Sequence, residues 1–145
     1  MQIFTLVDAK RTFFDRAGVI AAVSAAERSA LSRFGAYVRQ RARTSIRPRS
    51  GTSVPGAPPF SHVGLLRQFI LFAYEPSRGS VVIGAVQLGG KTGGDAPRLL
   101  EHGGSALRMR RGKLVRCQYQ PRPFMQPAFD RELSRLSPLW RDAIR

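Results

Sequence analysis

The apolar residues Val19, Val23, Ala26, Ala30, Phe34, Val38, Ala42 and Ile46 follow one another by threes and fours without a break. That spacing puts them on one stripe of a helix and cannot serve a strand, whose side chains alternate with period two. One helix is therefore expected from about Val19 to Ile46, roughly 40 Å long at about 1.5 Å per residue. Pro48 stops it, because proline lacks the N–H that another turn would need. An element this long in a chain of 145 residues leaves only short partners to pack along it. Gly35, near its centre, costs about 1 kcal/mol against alanine, which marks a point of close approach by another element. Arg28, Arg39 and Arg43 fall on the other side as an outward basic stripe.

The remaining segments are read in the same way. Residues 1–16 are extended and carry Ile3, Phe4, Leu6 and Val7, which suits a short strand. Residues 48–64 are rich in Pro, Gly and Ser and long for a connection inside a compact domain; they are read as an arm that orders against a neighbour. "LLRQFILFAYEPSRGSVVIGAV" is a β-hairpin, with turn residues in "EPSRG" between two apolar runs. Both faces of its first strand are apolar, so one should cover the long helix and the other should meet something else. "QLGGKTGGD" is a glycine-rich loop that lacks the spacing of a phosphate-binding P-loop. "APRLLEHGG" is a short helix opened by Pro97 and closed by Gly103. "ALRMRRGKLVRCQYQ" is a second hairpin, with Leu107, Met109, Leu114, Val115, Cys117 and Tyr119 inward, Cys117 as a buried thiol, and mostly arginine outward. A helix begins at Pro127 with Phe129, Leu133 and Leu136 on one side. Ser137 then caps a last turn with Pro138 in its first position, and Trp140 anchors the terminus. The expected fold class is α+β: a long N-terminal helix packed on an antiparallel sheet of two hairpins, with short C-terminal helices, in one domain spanning 1–145.

Charge and composition narrow the function. The chain has 24 Lys+Arg against 9 Asp+Glu, a net +15. Lysine occurs only at Lys10, Lys91 and Lys113, so nearly all the positive charge is arginine, whose planar fork suits carboxylate and phosphate. Such a balance calls for an anionic partner. One cysteine and two histidines supply too few ligands for zinc, and no apolar run is long enough to span a membrane. The expectation is a soluble chain made in a cytosol, with no cofactor and no metal. Glu101 and His102 are adjacent, but helix neighbours point about 100° apart, so a capping or interface role is expected for them. Ser61 and His62 lack the Gly-x-Ser-x-Gly elbow of a hydrolase. No catalytic residue is assigned, and the chain is not read as an enzyme. A basic nucleic-acid-binding module is the alternative reading, since arginines interleave with Tyr37, Tyr74 and Tyr119.

Three stretches, "FGAYVRQRARTSI", "PPFSHVGLLRQFILFAYEP" and "LLEHGG…QYQPRPFMQPAFDRELSRL", in this order and separation resemble the tail-completion or neck proteins of long-tailed bacteriophages, also known as tail-component or head–tail joining proteins. The sharpest parts are Ser61-His62-x-Gly64-Leu65-Leu66 and Arg122-Pro123-Phe124-Met125-x-Pro127-Ala128. The resemblance implies a structural virion protein that assembles with itself as a ring, six copies by analogy with the symmetry of tails. That ring joins the tail to the head connector, next to head-connector and tail-terminator or tail-tube proteins. The implied location is the virion neck, and the host cytoplasm during assembly, with no membrane. Arg39, Arg43, Arg49, Phe60, His62, Arg110, Arg111, Arg116 and Arg122 are the expected subunit or partner contacts. Most arginines are expected to face acidic proteins, since a lumen lined with them would hold passing DNA by counterion release; transient contact with genomic DNA remains part of the picture. Pro121, Pro123 and Pro127 form a rigid elbow that drops Phe124 and Met125 into the core while Arg122 reaches outward.

Overall fold

The computed structural model describes residues 15–86 and 95–144. The strand expected near the N-terminus and the glycine-rich segment 87–94 lie outside the described residues. Helix α1 (Arg16–Ser45) is followed by the single turn α2 (Leu65–Gln68), strands β1 (Ile70–Glu75) and β2 (Ser80–Ala85), helix α3 (Ala96–His102) and strands β3 (Gly104–Arg110) and β4 (Lys113–Tyr119). Helix α4 (Met125–Glu132), a 3-10 turn (Leu133–Arg135) and helix α5 (Leu136–Ala143) complete it. The α+β class is as expected, with the long helix first, two antiparallel hairpins and short helices last.

α1 begins where Asp15 accepts the Gly18 N–H at 2.9 Å, a side-chain cap on an amide that has no partner inside the helix. Its buried residues are Ala26, Ala30, Phe34, Val38 and Ala42, followed by Ile46 just past its end. They stand four apart, and four residues turn about 400°, so the stripe shifts by about 40° at each step. The helix thus offers its apolar side to β1, β2, α4 and α5. Phe34 meets the Phe129 ring edge-on, centroids 5.6 Å apart, a favourable geometry for aromatic pairs. Leu66, Ile70, Phe124, Ala128 and Leu139 close the core around it. The C-terminal end of α1 is tied off by side chains. Thr44 and Ser45 donate to the carbonyls of Arg41 and Ala42, and Arg67 donates to that of Arg43 at 3.2 Å.

The hairpin β1–β2 pairs Ile70 with Ala85, Phe72 with Ile83 and Tyr74 with Val81. Cross-strand partners share a face, and this one lies on α1: a Cβ at Gly35 would stand 2.8 Å from the Phe72 ring and 2.8 Å from a Val81 methyl. Glycine is what lets the sheet come this close. The opposite face stays bare, with Leu71 47% and Val82 59% exposed.

The hairpin β3–β4 is a separate two-stranded ribbon and shares no hydrogen bonds with β1–β2 among the described residues. Its strands pack on one another and only touch other elements. The expected inward set does not hold. Leu114 and Val115 are neighbours and must point to opposite faces, so the register puts Met109 opposite Leu114 on one face and Arg108 opposite Val115 on the other. Leu107, Met109 and Leu114 are 64%, 60% and 64% exposed. Cys117, expected to be buried, is only half-buried, because among the described residues no element packs broadly over its strand.

The C-terminal helices also depart in detail. α4 starts at Met125, two residues before Pro127, and Ser137 lies inside α5 rather than at its cap. The 3-10 turn carries the chain from α4 into α5 without a break, so no new cap is needed. If the Gly35 contact governs how hairpin and helix fit, Gly35→Ala should lower stability by about 1–2 kcal/mol, overpacking outweighing the gain in helix propensity. Urea denaturation checks this, and a stabilised variant would show that the contact relaxes freely.

Candidate interaction surface

The elbow is fixed by a carboxylate from another element. A helix N-terminus presents N–H groups with no partner inside the helix and a partial positive charge. At α4 the residue before the helix is Phe124, which has no side chain to cap it. Glu101 of α3 does so instead: its carboxylate accepts the N–H of Phe124 at 2.9 Å, of Met125 at 3.0 Å and of Gln126 at 2.8 Å. The backbone of Arg122 donates to the Leu100 carbonyl at 2.6 Å beside it. Phe124 is 1% exposed and Met125 half-buried against the core. Pro121 is exposed, and Pro123 and Pro127 are half-buried.

Two expectations about this region change. Arg122 does not reach outward; its Nε donates to the Ser53 carbonyl at 2.9 Å and its Nη1 to that of Gln120 at 3.2 Å. The 48–64 segment, expected to order against a neighbour, is ordered against its own chain. Gly56 donates to the Pro121 carbonyl at 2.9 Å, Ser61 to that of Arg47 at 3.0 Å, and Arg47 and Phe60 form a parallel bridge. Ser53 and Ser61 are buried there, which loose chain would not achieve.

The other candidate residues divide by what they touch. Arg39 donates from Nε to the Ile70 carbonyl at 2.8 Å and is committed to the core edge. Arg49 lies over the Phe60 ring, 5.6 Å from its centroid, a cation–π contact within the arm. Arg43 is half-buried and His62 exposed. Arg110, Arg111 and Arg116 are exposed on the β3–β4 ribbon. The structure therefore brings Arg122 to the arm, brings Arg110, Arg111 and Arg116 together on the ribbon, and leaves no single patch that unites all nine.

Carboxylates are few, and most are used inside the chain. Asp15 and Glu101 cap helices. Glu75 pairs with Arg78 and Asp95 with Arg98, while Asp130 accepts from Gln126 at 2.8 Å. Glu132, 2% exposed, is clamped between Arg41 and Arg135, the latter 2.9 Å away. Arg135 in turn lies over the Tyr37 ring at 5.0 Å. Burying a carboxylate is tolerable only with such paired charges. Sequence reading missed this cluster; Glu132 and Arg135 stand three apart on a helix and were legible as a pair, whereas Arg41 comes from far away in the chain.

Among the described residues, Glu101 with His102 and Ser61 with His62 are not paired for acid–base work. Glu101 is occupied by three amides and His102 is exposed. Ser61 accepts the Gly64 N–H at 2.9 Å, which leads into α2, while His62 points to solvent. The described residues contain no group of three His, Cys, Asp or Glu side chains able to hold a metal, and no helix among them is long and apolar enough to cross a membrane. A groove of about 470 Å³ between α1 and the chain end is lined by Val19, Ala22, Val23, Ala26 and Ile144 with Ser29, too poor in polar groups to orient a small ligand. If Glu101 is a cap, Glu101→Ala should cost about 2–3 kcal/mol of stability while His102→Ala costs almost nothing, both read by chemical denaturation; equal effects would remove the cap from the account. Comparisons with protein-family models, with curated proteins and with solved structures find no match to this chain.

Proposed function

We propose that the chain is a structural subunit of a ring at the head–tail interface of a tailed bacteriophage, joining the tail to the head connector. The observation that carries the reading is the amount of apolar surface left bare on separate elements. Val19, Ile20 and Val23 on α1, Leu71 and Val82 on the outer face of β1–β2, and Leu107, Met109 and Leu114 on the ribbon are all 46% exposed or more. Apolar residues grouped on the exposed face of an element suit a contact surface, and interfaces between copies of one chain are more apolar than average surface. Surfaces on several sides of one subunit suit a closed ring, in which each copy uses two different patches.

The resemblance to neck proteins supports the same reading through its position. Its three stretches supply Phe34, Val38, Ala42, Ile46, Leu66, Ile70, Phe124 and Ala128 of the core and the Glu101 cap, so the likeness concerns how the subunit is built.

The test is the native mass at micromolar concentration. A ring has a multiple of the 16.0 kDa chain mass, and Leu71→Asp with Val82→Asp, which lie outside the core, should weaken assembly by roughly tenfold or more. A protein that stays at 16.0 kDa contradicts the reading. In the phage, removing the protein should leave heads and tails unjoined; joined, infective particles without it would also contradict it.

A further inference from the structure

The β3–β4 ribbon carries Arg108, Arg110, Arg111, Lys113 and Arg116 and no acidic residue. Its register sorts them. Arg108, Arg110 and Lys113 share a face with Val115, Cys117 and Tyr119, while Arg116 sits on the other face with Leu107, Met109 and Leu114. The distal half of the first face thus holds three cations and one apolar side chain. Arg111 stands at the tip. Arg110 pairs with Lys113, leaving Arg111 and Gly112 as a two-residue turn with φ of 50° and 76°, the type I′ turn that favours Asn-Gly. Arg111 is the one non-glycine residue with positive φ among the described residues. A bulky side chain in that region is strained, and strain of this kind persists where function uses the side chain.

We infer that this ribbon is a nucleic-acid-binding arm that lays Arg108, Arg110, Arg111 and Lys113 on the phosphates of a double-stranded helix. A two-stranded ribbon fits the major groove of B-DNA, about 12 Å wide. A second copy of this chain is a poor occupant of the cationic face, because it has nine acidic residues against 24 basic ones and two of the nine, Glu101 and Glu132, are engaged internally. Acidic proteins are disfavoured because the distal half of this face offers one apolar side chain, Val115, and so lacks the apolar core that protein–protein interfaces carry. At a membrane the apolar face would enter the lipid and the three cations would point away from the headgroups. Single strands are bound on stacked aromatics, and the distal ribbon has none. The inference does not depend on the ring reading.

Fluorescence anisotropy with a short mixed-sequence DNA duplex, between about 50 and 200 mM salt, tests it. The full chain should bind with a log–log salt slope of at least about −3, near −0.9 per neutralised phosphate. Arg111→Asn should weaken binding by roughly tenfold and reduce the slope by about 1, yet leave the melting midpoint unchanged or higher, because Asn-Gly relieves the turn. Arg108→Gln with Arg110→Gln and Lys113→Gln should weaken it by about 100-fold or more. Arg16→Gln with Arg28→Gln and Arg33→Gln on exposed α1 positions removes the same charge and should change affinity by less than about threefold, since distant charges are screened. Equal losses from the two triple variants overturn the inference. So does tighter binding to the single strand, or ribbon-dependent binding to phosphatidylserine vesicles without binding to the duplex. A monomer that binds duplex in the expected way contradicts the ring reading and leaves this one standing.

Discussion

The core of the described fold is arranged around the ridge of α1 whose residues stand four apart. Because Ala30, Phe34, Val38, Ala42 and Ile46 are all essentially closed to solvent, the hairpin, the elbow and both C-terminal helices have one common support. The ridge uses alanine where neighbours come closest and a large side chain at Phe34, so shape complementarity depends on a few positions. Gly35 carries this furthest, admitting Phe72 and Val81 to a distance that a methyl group would forbid. Close-packed interiors feel such changes even at the scale of one carbon.

A second constraint is the shortage of negative charge. With nine acidic residues against 24 basic ones, each carboxylate matters. Glu101 is placed where three amides converge and Glu132 where two guanidinium groups do. Several arginines find partners in backbone carbonyls instead: Arg39 on Ile70, Arg67 on Arg43 and Arg122 on Ser53. Arginine can do this because its donors are spread over a plane and its charge is weakly hydrated. The core edges are thereby stitched by cations without acids, and the uncompensated charge gathers on elements that protrude, the ribbon above all.

Much of the architecture was legible in the sequence because periodicity reports burial. The long helix, the first hairpin with its turn, the Gly103 cap and the burial of Phe124 all follow from local spacing and turn chemistry. What local reading could not supply were contacts between distant segments. The partner of Arg122 is a carbonyl on the 48–64 segment, and nothing near Ser53 in the chain announces it. The cap of α4 comes from α3, so its start could not be placed from Pro127 alone. Alternation in the second hairpin suggests a buried face, but Leu114 and Val115 are consecutive on β4, and the register divides the apolar residues between two open faces. As to the surface candidates, composition marked the arginines without telling which were already committed inside the chain.

The central claim is that the outer faces of α1, β1–β2 and the ribbon are contact surfaces held by other molecules. Hydrogen exchange followed by mass spectrometry, on the same protein at concentrations above and below assembly, examines those faces directly. If those faces are so held, amides of residues 16–25, 80–86 and 104–119 exchange more slowly at the higher concentration, while those around Phe34, Ile46 and Phe124 stay slow at both. Exchange in the outer segments that is fast and independent of concentration would contradict it.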